Sequence, residues 1–112
     1  MIYRQGDVLI MRVDESPDDF GERTAVQRDE GRIVLAYGEV TGHAHAIADD
    51  HATLWLLPDD DRLLTVEGAD VALRHEEHAT IVIPPGTYRV RRQREYVPAT
   101  DEIAPRRSYV AD

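Results

Sequence analysis

The chain has 112 residues with no cysteine and no lysine; all thirteen basic residues are arginine, set against 22 acidic ones for a formal charge of −9. The length fits one domain, residues 1–112, with its own core, and the missing residue types exclude disulfides, thiolate ligands, cysteine nucleophiles and Schiff-base or P-loop lysines. The charge argues against a duplex-DNA surface, and it is uneven: residues 1–87 carry seven arginines against eighteen acids, net −11, and residues 88–112 six against four, net +2.

The start, Met1-Ile2-Tyr3-Arg4-Gln5, lacks the charged opening and apolar run of a signal peptide, and no run nears the roughly eighteen apolar residues of a membrane span. A soluble cytoplasmic protein is expected. Serine occurs only at positions 16 and 108, neither in a nucleophile-elbow context.

In chain order, residues 3–13 read as a first strand after a Gly6-Asp7 turn signal, apolar on both faces. Residues 14–31 are polar and acidic and form the one long loop, with Phe20 placed to pin its middle. Residues 32–37 alternate as a second strand. Gly38 and Gly42 then bracket a turn that delivers His43 and His45 on a third strand, where a period of two sends both imidazoles and Ile47 to one face.

Residues 52–57 start another strand, and Pro58-Asp59-Asp60-Asp61 is a solvated hairpin tip without the ligand spacing of an EF-hand loop. Residues 62–67 and 71–75 pair through Gly68-Ala69-Asp70, putting His75 in line with Val71 and Leu73. Residues 79–83 fit a buried strand, Pro84-Pro85-Gly86 turns the chain, 87–97 is the longest strand, and 106–110 a short edge strand. The expectation is an all-β fold, a small β-barrel or sandwich of eight or nine short strands.

The chemistry concentrates in His43-x-His45 and His75-x-x-His78. Two imidazole pairs supply three or four nitrogens to one divalent ion, and histidine alone leaves Zn, Fe, Mn or Ni open. Glu39, Glu76 and Glu77 stand beside them as carboxylate ligand, orienter or acid–base group. The plainer alternative is four structural histidines with ordinary hydrogen bonds. His51 reads as a loop residue.

The HxH pair behind a glycine turn, a later histidine, and Ile83-Pro84-Pro85-Gly86-Thr87-Tyr88 resemble the small single-domain cupins over about residues 38–90. That resemblance implies a metal centre inside a β-barrel. Where cupins place a glutamate after HxH this chain has Asp49 and Asp50, and its later histidines precede the PxG turn. The segments GEVTGHAH, HEEH and QREY also resemble a group of small bacterial proteins with no assigned function.

On the last long strand, Tyr88, Arg92, Arg94 and Tyr96 share a face with Val90, an arginine and tyrosine stripe suited to phosphate, carboxylate or a stacked base. The expected function is a metal-dependent enzyme, hydrolytic or oxidative, acting on a small or nucleotide-like anion. Single-stranded nucleic acid is a further candidate ligand, and a homodimer is compatible with the sequence. The competing readings are a non-catalytic metal- or ligand-binding β-barrel module and a metal-independent nuclease or phosphoesterase using His and Arg.

Overall fold

A computed structural model describes residues 1–38, 40 and 42–93. Among these residues ten strands make two antiparallel sheets packed as a sandwich, not a closed barrel. The strands are β1 (Ile2–Gln5), β2 (Val8–Val13), β3 (Thr24–Ala25), β4 (Ile33–Tyr37), β5 (Ala44–Ile47), β6 (Ala52–Leu56), β7 (Arg62–Val66), β8 (Val71–His75), β9 (His78–Ile83) and β10 (Gly86–Arg92). Six run in the order β1-β2-β10-β7-β6-β3 and four in the order β4-β5-β8-β9.

The period-two patterns explain most of this layout. Val8 and Ile10 on β2, Leu64 and Val66 on β7, and Leu73 on β8 point between the sheets, where they are buried with Ile47 and Ile83. Fully burying a side chain of this size contributes about 1.5–3 kcal/mol. All four residues of β5, which lies between β4 and β8, are buried.

Several regions differ from the sequence expectation: the run over 79–83, expected as a buried strand, is an edge strand in which Ala79, Thr80 and Val82 are exposed and only Ile83 is buried. The single strand expected over 3–13 is a hairpin, with Gln5 opposite Val8 and Gly6 and Asp7 between them. Gly6 takes φ 59° as the first residue of this two-residue turn, a conformation a side chain at that position would resist. The expected loop over 14–31 contains a 3-10 turn (Pro17–Phe20) and β3, which pairs with β6. The Arg89 guanidinium lies 5.3 Å from the Phe20 ring centre and that of Arg23 lies 4.8 Å from Trp55, so cation–π contacts hold this segment to the six-stranded sheet. Asp61, expected at a solvated tip, is half-buried and pairs with Arg89 and Arg91.

Among the described residues no helix is long and apolar enough to cross a membrane. Glu39, Arg94, Tyr96, the far end of the strand expected over 87–97 and the strand expected over 106–110 lie outside the described residues. For the site, the useful result is that three hairpin ends and the end of β10 come together. These are the Gly6-Asp7 turn, Gly38 and His43 flanking the facing ends of β4 and β5, and the Glu76-Glu77 turn.

Candidate metal centre

His45 sits near the start of β5 and is 2% exposed. His75 closes β8 and His78 opens β9, and the two face one another across a two-residue turn. A β-bulge between Leu73 and His75 offsets that pairing. The ring centres of His45 and His75 are 4.2 Å apart, those of His75 and His78 4.6 Å, and those of His45 and His78 5.7 Å. His43 precedes β5 at the rim, its ring edge-on to His75 at 5.9 Å. Gly38 makes room for this approach: a Cβ there would lie 3.2 Å from the Cβ of His43 and 3.4 Å from His75 Nε2. The four histidines singled out in the sequence therefore share one end of the sandwich.

Hydrogen bonds fix the proton on two of the rings. Gln5, 2% exposed, points its side-chain nitrogen at the carbonyls of Leu73 and Ala79, both at 2.9 Å. A carbonyl can only accept, so both amide hydrogens are spent and Gln5 Oε1 is left to face His45 Nδ1 at 2.9 Å. Nδ1 of His45 must then carry the hydrogen, which leaves a lone pair on Nε2. His75 is the reverse case. Its Nδ1 accepts the Glu77 backbone N–H at 3.0 Å, so its hydrogen is on Nε2.

Replacing Gln5 with leucine leaves the buried His45 N–H without its acceptor and removes the side-chain donor from the buried Leu73 carbonyl and the part-buried Ala79 carbonyl. The expected cost is about 1–3 kcal/mol, checked by urea unfolding of the two proteins side by side.

Below His45 lies a residue to which the sequence reading gave no chemical role. Asp7, 5% exposed, places Oδ1 3.7 Å from His45 Nε2. Its Oδ2 accepts from Arg92 Nε at 2.6 Å, while its backbone carbonyl accepts the Gln93 N–H at 2.7 Å. Arg92 also donates to the Tyr37 carbonyl at 3.0 Å, tying β10 to the end of β4. Burial and the neighbouring His75 push the His45 pKa down to about 4, although Asp7 pulls the other way.

Of the carboxylates expected to do acid–base work, the two among the described residues, Glu76 and Glu77, each have a partner. Glu76 accepts the Ala44 N–H at 3.0 Å, and that bond holds its carboxyl below the usual range. Glu77 Oε2 stands 3.3 Å from His43 Nδ1, where it can orient that ring. Of the expected arginine and tyrosine stripe, Tyr88 belongs to the core. It is 0% exposed, edge-on to Tyr3, with its hydroxyl donating to the Pro84 carbonyl at 2.5 Å. It shares the inward face with Val90, and Arg92 continues that face at the point where the core gives way to the site.

A cleft of about 320 Å³ reaches His75 and Glu76 from the four-stranded sheet, with Ala44 and Ala46 among its lining and Arg32 and Arg74 on it. His51 stands apart from the cluster, bonded through Nδ1 to the Glu67 carbonyl at 2.9 Å. As the rings stand, no group of three His, Asp or Glu side chains among the described residues is disposed to hold a metal ion. A centre here needs ring rotation, above all at His75, which has to release the Glu77 N–H.

No curated protein and no solved structure matches the chain. A family model does match residues 4–93, a span that takes in Gln5, Asp7, all four clustered histidines and Arg92. The chain belongs to that family, a domain of unknown function (DUF8820).

Proposed function

We propose that the protein binds one divalent metal ion at the histidine cluster, whose His75 also borders a cleft able to take a small anionic ligand. The spacing of the rings carries this reading. A metal–nitrogen bond of about 2.1 Å puts the ring centres of two imidazoles on one ion roughly 5 Å apart. The three separations within the His45, His75 and His78 group run from 4.2 to 5.7 Å, which brackets that value.

His45 is the anchor, since its lone pair is already turned into the site and the Gln5 amide holds its tautomer. His75 and His78 add nitrogen ligands once the His75 to Glu77 bond opens, and His43 joins from the rim with Glu77 behind it. An all-imidazole nitrogen set without thiolate suits Zn, Fe, Mn or Ni. When bound, the ion would supply Lewis acidity toward an anion or a water. Arg32 and Arg74 on the cleft favour a phosphate- or carboxylate-bearing ligand over a neutral one.

A second reading, a centre that holds its ion without turnover, is favoured by the engagement of Glu76 with the Ala44 N–H and of Glu77 with His43. Elemental analysis of untagged protein is expected to find close to one metal per chain. Turnover of an ester, phosphoester or oxidisable acid by the loaded protein supports the enzyme, and full loading with no turnover across those classes supports the second reading. Metal content indistinguishable from buffer would end both.

A further inference from the structure

We propose that Asp7 is the carboxylate ligand of this centre, binding through Oδ1 while Arg92 holds Oδ2. The assignment rests on reading the histidine cluster as a metal site and adds a residue from a different part of the chain, the tip of the first hairpin.

The starting observation is a buried carboxylate oxygen with nothing to bond. Asp7 Oδ1 has no hydrogen-bond partner, although the residue is nearly inaccessible. Leaving such an oxygen unsatisfied is costly, because water no longer solvates it and no donor replaces the water. What faces it is not a donor either. His45 Nε2, 3.7 Å away, offers a lone pair, since the hydrogen of that ring is committed to Gln5. Two acceptors pointed at one another in a buried space are satisfied together by a cation between or beside them.

The dimensions fit a shared ion. Two ligand atoms on one ion, each bonded at about 2.1 Å, stand roughly 3.0–3.4 Å apart for octahedral to tetrahedral angles. The observed 3.7 Å closes to that range with a few tenths of an ångström of movement. The carboxylate is also held in place beforehand. Its turn is set by Gly6, its carbonyl is bonded by the Gln93 N–H, and its other oxygen is fixed by Arg92. With Oδ2 occupied, Asp7 is limited to one-oxygen binding.

Arg92 has a further consequence for charge. It balances the carboxylate, so a divalent ion among neutral imidazoles keeps its excess positive charge and continues to attract an anion. The ion is then a borderline one that accepts both imidazole nitrogen and carboxylate oxygen, such as Mn, Fe, Co, Ni or Zn, and not a thiophilic Cu(I).

Cobalt titration followed by visible absorption tests this, comparing wild type with Asp7→Asn. Wild type is expected to bind one Co(II) with ligand-field bands, and Asp7→Asn to weaken binding by at least about tenfold, the smallest loss seen for groups that only support a ligand, with displaced bands. Equal affinity and an unchanged spectrum in Asp7→Asn overturn the Asp7 assignment alone. Absence of Co(II) binding by wild type overturns the metal reading along with it. A measurement on unaltered protein covers the case in which the variant misfolds: the Asp7 side-chain carboxyl ¹³C resonance is followed as Zn(II) is added. A shift complete at one equivalent supports direct ligation, and a resonance that stays put while histidine resonances move overturns it.

Discussion

Replacing His45 with alanine is expected to lower metal affinity by about 100-fold or more, while replacing His51 with alanine leaves it unchanged. The contrast follows from how the two rings are held. Both bond through Nδ1, His45 to the Gln5 side chain and His51 to the Glu67 carbonyl, so both present Nε2. Only His45 does so among other imidazoles, with His75 and His78 within 5.7 Å and the Asp7 oxygen beyond its Nε2. His51 sits on an exposed turn with no second imidazole in ring contact among the described residues. Isothermal titration of both variants with Zn(II) separates the cases, with circular dichroism confirming that His45→Ala retains its strands. Equal losses in the two variants would mean that surface histidines bind the metal adventitiously.

The second large effect is on stability against pH in the metal-free protein. His45 titrates near pH 4 in the fold and near its ordinary 6.5 in the unfolded chain. Between those values the unfolded state binds a proton that the folded state refuses, so stability rises with pH across that window. The contribution is fully present above about pH 6.5 and is lost as pH falls through about 4. A depression of this size corresponds to about 3 kcal/mol. Denaturant midpoints measured from pH 7 to pH 4 after chelation are expected to fall accordingly, and His45→Gln to flatten this part of the profile. An unchanged profile in His45→Gln would assign the acid sensitivity to other groups.

How far the sequence could be read varies from residue to residue, for physical reasons. The β-rich fold follows from short alternating segments divided by glycine and proline. The clustering of the four histidines also has a local basis. His43 and His45 are two apart at the head of one strand, so the chain itself sets them side by side, and His75 and His78 flank a two-residue turn whose hairpin pairs them. Asp7 and Gln5 were not legible, because a glycine-aspartate hairpin tip normally faces water. Here the way the sheets pack turns that tip inward, and no local pattern reports such packing.

Tyr88 illustrates the opposite difficulty. The alternation on β10 is legible in the sequence, but Arg92 and Arg94 give its face the look of a ligand-binding stripe. In the sandwich that face is core at Tyr88 and Val90 and reaches the site at Arg92. The Phe20 anchor was visible as a lone aromatic in a polar loop. Its partner Arg89, 69 positions further along, was not.

On the proposed reading, one metal ion sits among these histidines. The most direct test is a crystal of untagged protein soaked in Zn(II), with diffraction recorded on both sides of the zinc absorption edge. One anomalous peak per chain is expected about 2.1 Å from His45 Nε2, with His75 or His78 rotated to share it. A fully occupied peak at His51 alone, or none near His45 in a crystal whose soak contained ample zinc, would contradict that reading.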